Sequence, residues 1–220
     1  MKQLTNSICG YAKRGAMFGL DARIALAIFG ALSVISGAAL YSAIQESKKV
    51  SMATSVKEVQ KALAQYILDT GSYLPENNST STSMLLGQLY QNRENVDNWD
   101  GPYIGNASNL DLTIDVDITK DRVIDVRWYA YRYSTLSWGN ADPATTTART
   151  CNTSNCNIYL MNFLTSSSPS FANLIKVYEM LDDYYDDGDG AGTGKVRARI
   201  TSSIAYVYID IMPEYIKLSN

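Results

Sequence analysis

The densest chemistry in this 220-residue chain is an acidic run, Asp182, Asp183, Asp186, Asp187 and Asp189, threaded with Gly188, Gly190, Gly192 and Gly194. Alternate carboxylates in a glycine-rich turn suit Ca²⁺, which takes six to eight oxygen ligands. Asp186, Asp187 and Asp189 are the candidate ligands. The EF-hand order is not met, because Ala191 stands where a third ligand is needed, and a solvated acidic turn is the competing reading. Cys151 and Cys156 flank four polar residues. In an exported domain they read as a disulfide closing a small loop, a contribution of about 2 kcal/mol. Their spacing is not C-x-x-C, and only Arg149 is near enough in sequence to favour a thiolate, so redox chemistry is not expected. Asp115 and Asp117 have the residue type for paired-carboxylate glycoside hydrolysis, but they share one strand face and read as solvent-facing. No nucleophile is positioned. The chain has no histidine, which excludes serine–histidine dyads and the imidazole-bearing zinc sites. With a net charge of −3 there is no basic footprint for nucleic acid. An enzyme is not expected.

Tyrosine is the other surplus, with 16 residues. Tyr129, Tyr131 and Tyr133 fall on one strand face, and Tyr206 and Tyr208 on another. Packing is the expected role; a carbohydrate- or surface-binding face is the alternative.

The elements that must position these groups begin with a membrane-length run. Ile24 to Ile44 holds no charge, and a helix of that length spans roughly 30 Å, the thickness of a bilayer core. Lys2, Lys13, Arg14 and Arg23 precede it, with Asp21 as the only acid, so the N-terminal side is expected in the cytoplasm and the rest exported. A cleaved secretory signal would have a shorter apolar region, typically 7–15 residues. Beyond the run Val56, Val59, Leu63, Tyr66 and Ile67 recur at helical spacing, opposite Lys57, Glu58, Gln60, Lys61 and Gln65. Asp69-Thr70-Gly71 is a helix stop. One rod from Leu20 to Asp69 would run about 75 Å.

The remainder reads as β. Leu110, Leu112, Ile114, Val116 and Ile118 alternate with polar residues, and a turn at Lys120-Asp121 leads into Arg122–Tyr133, which predicts a hairpin. Asn157–Leu164 and Val196–Met212 supply further strands, the last broken near Ser202-Ser203. Between them Ser170 is placed to cap a helix with Phe171, Leu174, Ile175, Tyr178 and Leu181 on one face. Residues 75–83 and 139–150 are polar loops. The expected class is α+β, with a long N-terminal helix packed on an antiparallel sheet.

The order Lys13-Arg14-Gly15-Ala16-Met17-Phe18-Gly19-Leu20-Asp21, then the apolar run, resembles the class III leader of type IV pilins and type II secretion pseudopilins. In that family a basic leader ends in a small residue, and the mature chain opens on a hydrophobic residue with an acid at its fifth position. Taking Asp21 as that acid puts the cut between Ala16 and Met17; a cut after Gly15 displaces the acid by one place. Gly30, nine residues after the acid, matches a glycine of many members. Alanine before the cut, Asp for Glu, Arg23, and the missing mid-helix proline depart from the pattern. A bend or melted turn near Gly37 is the expected substitute for that proline. The rival reading is a plain bitopic anchor. Two later segments add to the resemblance. Tyr66 to Pro75 (YILDTGSYLP) is similar to the Y-x-L-D-x-G-x-Y-P stretch of major pseudopilins, with one extra residue. Asn98 to Ile104 (NWDGPYI) is similar to their W-G-x-P-Y segment. The stretch from Asp186 to Val196 resembles a D-D-G-x-x-x-T-G-x-V turn of pilin-like proteins, where it is structural.

The resemblance implies a lollipop of three parts: a leader at 1–16, a helix at 17–71 crossing the membrane at about 24–44, and a β-rich globular domain at 72–220. It implies cutting by prepilin peptidase, N-methylation of Met17, and assembly into a homo-oligomeric filament. Asp21 would meet a neighbour's α-amino group, and Gly30 would permit close helix approach. An inner-membrane platform and its ATPase would drive assembly, because this chain has no P-loop. The precursor would sit in the inner membrane, and the product in a periplasmic pseudopilus or a cell-surface pilus. Major pseudopilins bind calcium in a C-terminal loop, which is the one cofactor the resemblance suggests. A membrane-anchored binding module or minor tip adhesin is the alternative function. Removing residues 1–16 takes Cys9, leaving an even pair of cysteines, and moves the net charge from −3 to −6.

Overall fold

The structure is a computed structural model and describes residues 15–77, 83–105, 113–115, 127–134 and 156–213. It divides into two units, Met1–Ser47 and Lys48–Asn220. Helix α1 spans Gly15–Thr70 and so belongs to both. The sequence lacks helix breakers through this span apart from single glycines, and the helix runs unbroken through Gly30 and Gly37. The melted turn expected near Gly37 is therefore not present: isolated glycines weaken a helix by only about 1 kcal/mol each relative to alanine.

Within the second unit α1 presents Met52, Val56, Val59, Leu63 and Tyr66, all buried, at the i, i+3, i+4 spacing read from the sequence. Tyr66 also takes an edge-on contact from Tyr103 at 5.7 Å. The helix closes where expected: Gly71 adopts φ +67° and its N–H reaches the carbonyl of Ile67 at 2.8 Å. Only glycine takes that left-handed conformation without strain, which is why the chain can turn there.

The sheet comprises β1 (Ser83–Met84), β2 (Thr113–Asp115), β3 (Arg127–Ser134), β4 (Cys156–Thr165), β5 (Val196–Ile200) and β6 (Ile204–Pro213). Its order is β1-β3-β4-β6-β5, with β2 also pairing β3, and every pairing is antiparallel. The predicted hairpin survives as the Thr113–Tyr129 to Asp115–Arg127 register; its turn, together with Leu110, Leu112 and Asp117, lies outside the described residues. The predicted break at Ser202-Ser203 is the β5–β6 turn, where Thr201 N–H bonds Ile204 at 2.9 Å. Ser83, assigned by sequence to a polar loop, is instead a buried strand residue opposite Tyr131.

Helix α2 covers Phe171–Asp186. Leu174, Val177, Tyr178 and Leu181 are its buried stripe. Ser170 holds the capping position but makes no side-chain cap bond; its carbonyl accepts from Asn173 and Leu174 instead. One buried cluster joins the α1 stripe, the α2 stripe and the inner sheet face of Trp128, Ala130, Ile158, Leu160, Val207 and Ile209. This is an α+β fold whose alternating strand residues each send one face to that core.

Candidate functional site

Two regions carry the sequence-predicted groups. The first is the N-terminal part of α1. Gly15, Ala16 and Met17 form its first residues. Asp21 and Arg23 are exposed, as are Leu26, Phe29, Leu32, Val34 and Ile35, which point around the whole circumference. A helix that is apolar on every side is solvated by lipid or by other helices. Two of its serines are satisfied internally: Ser33 Oγ donates to the Phe29 carbonyl at 2.8 Å, and Ser42 Oγ to the Ala38 carbonyl at 3.3 Å. That is what hydrocarbon demands of a polar side chain. A Cβ added at Gly30 or Gly37 would meet nothing within 4 Å, so within this chain neither glycine is required by packing. Among the described residues this is the helix long and apolar enough to cross a membrane, and it fits a membrane-anchored protein.

The second region is the acidic turn between α2 and β5. Asp187 is not part of the cluster that forms there. It is the C-cap of α2 in the left-handed region (φ 53°), exposed, with its N–H on the carbonyl of Asp182. Asp182, which the sequence reading counted in the acidic run but left out of the ligand set, takes its place. One carboxylate oxygen from each of Asp182, Asp186 and Asp189 lies within 4.8 Å of the others. The helical period explains this: Asp182 and Asp186 are four residues apart on one face, and the glycine-rich turn folds Asp189 back over them.

Each of the three is held from elsewhere. Asp186 Oδ2 accepts the Val196 N–H at 2.7 Å, and its carboxylate presses so close to Gly194 that a Cβ there would stand 2.6 Å from Cγ. Thr193 donates to Asp189 Oδ2 at 2.9 Å. Tyr178 donates to Asp182 Oδ2 at 3.3 Å, while Oδ1 is buried with no donor. Burial raises the carboxyl of Asp182 above its ordinary value, and burial with the neighbouring Asp182 charge pushes the Tyr178 phenol up to about 12. Three converging carboxylates, one with a buried orphan oxygen, are a donor set that fits a hard divalent cation.

Of the other candidates, Cys156 is buried at the start of β4, and Cys151 lies outside the described residues. The tyrosines do not form two faces: Tyr129, Tyr131, Tyr133, Tyr206 and Tyr208 share one sheet face with Tyr159 and Met161. Tyr133, Tyr159 and Tyr208 are buried there, as packing predicts. Sequence reasoning missed Gln88. It is buried, its Oε1 accepts the N–H groups of Arg93 and Glu94 at 3.0 and 3.3 Å, and its carbonyl takes the Trp99 indole N–H at 2.8 Å. A lone glutamine in a polar stretch gives no periodic signal of burial.

The family model of type II secretion system (T2SS) protein G matches residues 39–112. The matched span contains both the helix-closing segment and the Asn98–Ile104 segment, and it supports the pseudopilin family. It stops short of β3 to β6 and of the acidic turn. No curated protein and no solved structure matches the chain.

Proposed function

We propose that this chain is a pseudopilin-type structural subunit of a type II secretion system, cut by prepilin peptidase between Ala16 and Met17 and assembled into a filament through α1. The observation that carries the reading is one helix, Gly15–Thr70, whose residues 24–44 are uncharged and exposed all round, under a T2SS protein G match that begins at Ala39. A cleavable export signal does not need a helix that continues into the core of the exported domain. A subunit that leaves lipid to pack helix on helix does. Met17 would carry the N-methyl group. Asp21 would pair with the α-amino group of a neighbouring subunit, a contact worth more among apolar helices than in water. The first residues would face the cytoplasm and the globular domain the periplasm. Platform protein and ATPase would be separate chains.

The match to a secretion-system protein favours the pseudopilus over a surface pilus. The burial of Tyr133, Tyr159 and Tyr208 removes the widest part of the aromatic face from an adhesin reading. The acidic turn would hold a calcium-class cation through Asp186 and Asp189, where the ion would supply counter-charge to a structural loop.

The intact mass of the protein from its native membrane tests the processing. Loss of residues 1–16 with the mass of one methyl group is expected. An unprocessed N-terminus, or a cut within residues 39–43, would overturn the reading.

A further inference from the structure

The sheet has two ends, and the chain itself lies along both. At one end β1 and β2, of two and three residues, follow one another along β3. Residues 75–77 run beside β1, where Asn77 N–H bonds the Ser83 carbonyl at 3.0 Å and Leu85 N–H the Pro75 carbonyl at 2.8 Å. The order closes at the other end on β5, five residues long, beside β6. The register with β6 fixes which backbone groups of β5 look outward. Asp210 N–H bonds the Lys195 carbonyl at 2.7 Å, and Thr201 N–H the Ile204 carbonyl at 2.9 Å. Antiparallel pairs alternate, so Arg197 and Arg199 turn their N–H and C=O groups to β6, while Val196, Ala198 and Ile200 turn theirs away. Such an outward row is a template for a strand of another chain.

The turn between α2 and β5 takes up two of those three donors. Asp186 Oδ2 accepts the Val196 N–H at 2.7 Å, and the Ala191 carbonyl accepts the Ala198 N–H at 3.0 Å. Arg197 Nε donates to the Gly194 carbonyl at 3.0 Å, which ties the turn back to the strand. Gly194, at φ +75°, passes Asp186 with no room for a side chain. Ile200, the last residue of β5 and exposed, is the position left over.

We propose that this turn is an edge guard: a carboxylate and a carbonyl of the chain itself fill the places that a second copy's strand would take, so the β5 edge is closed to strand addition between copies. The guard does not rest on the cation reading, because both bonds are made by protein groups alone. Asp187 and Asp189, exposed beside the edge, add like-charge repulsion between two such turns. The consequence bears on assembly. Membrane-anchored copies meet at high local concentration, and an open edge would let their sheets pair. With the edge filled, association is left to α1.

The test follows the full chain in detergent by sedimentation velocity over a range of concentrations, with EGTA present so that no cation bridges the turn. Asp186→Ala frees the Val196 N–H and is expected to shift the chain, relative to the unaltered one, to faster-sedimenting species whose share grows with concentration. Asp186→Asn keeps an amide oxygen for that N–H, loses the charge and should sediment as the unaltered chain does. Hydrogen exchange locates the contact: association through β5 should slow the Ile200 amide. Asp186→Ala with the size of the unaltered chain overturns the guard. So does association that leaves the Ile200 amide unchanged. Equal association of Asp186→Asn and Asp186→Ala would assign the effect to charge and overturn it as well. Should Asp186→Ala fail to fold, the unaltered chain decides. Its Val196 and Ala198 amides should exchange more slowly than that of Ile200, and equal exchange at all three overturns the guard.

Discussion

The indole of Trp99 lies across Gly101 so closely that a Cβ at residue 101 would stand 2.4 Å from Cζ2. The ring cannot swing aside freely, because its N–H is bonded to the Gln88 carbonyl at 2.8 Å and its face meets Tyr103 at 5.6 Å. Tyr103 in turn sets its edge on Tyr66 of α1, and its hydroxyl accepts the Asp100 N–H at 2.9 Å. The Asn98–Ile104 segment is thus a clasp on the last turns of the long helix. Gly101→Ala is expected to destabilise the fold by about 1–3 kcal/mol, the usual cost of overpacking. Urea unfolding of the detergent-solubilised chain checks it; an unchanged midpoint would show that the clasp yields without cost.

Gln88 holds that clasp from beneath. Replacing it with leucine keeps the volume but strands the Arg93 and Glu94 N–H groups, which now share its Oε1. Arg93 and Glu94 are themselves exposed, so their freed N–H groups can turn to water and the loss is the net worth of the bonds, about 0.5–1.5 kcal/mol each. Gln88→Leu should therefore lower stability by about 1–2 kcal/mol, and exchange of the Arg93 and Glu94 amides should accelerate. Protection retained at both amides would mean another acceptor replaces it.

Much of this was legible in advance, and the boundary is physical. Periodicity found the α1 stripe from Val56 to Tyr66, the β4 span and the β5–β6 turn, because a 3.6- or 2-residue repeat records which face is buried. It gave no sign that Tyr129 and Tyr206 share one sheet face, since that depends on strand order rather than on either strand. It also grouped the acids differently from the structure, where Asp182, Asp186 and Asp189 come together. Reading Asp186, Asp187 and Asp189 as a linear run ignored that Asp187 must turn left-handed to end the helix, while Asp182 lies one turn back on the same face as Asp186. Gln88 and the Trp99–Gly101 packing were invisible for a related reason: each is a single contact with no repeat.

Asp210 on β6 is half-buried, and its side chain is bonded to Asn157. Burial outweighs Asn157 and the Lys195 charge and raises its carboxyl above 3.8. A folded-state value above the unfolded one means the native state holds the proton longer. The associated stability is therefore full below about pH 3.8 and declines as pH rises through the raised value. Asp210→Asn keeps an acceptor for Asn157 and removes the titration. Stability measured by urea unfolding from pH 3.5 to 7 should fall less steeply with rising pH in the variant. Parallel curves would show that Asp210 titrates alike in both states.

The membrane end yields the most discriminating variant. Asp21 is exposed in a helix whose neighbours Leu20 and Ile24 are also exposed, and it belongs to the first unit, apart from the core of Lys48–Asn220. Its removal should leave folding of that core untouched. In lipid a carboxylate near the helix end is a modest cost, because it reaches the headgroups. In a helix bundle the same group has no water to reach and needs a cation, and removing it would leave the opposing α-amino group buried and unpaired. That loss is about 3–5 kcal/mol per contact in buried pairs. Asp21→Ala is therefore expected to insert, to be cut and to unfold at the temperature of the unaltered chain, yet to drop out of filaments sheared from cells. Incorporation at the normal level would assign Asp21 to the lipid headgroups alone and leave the chain a bitopic anchor.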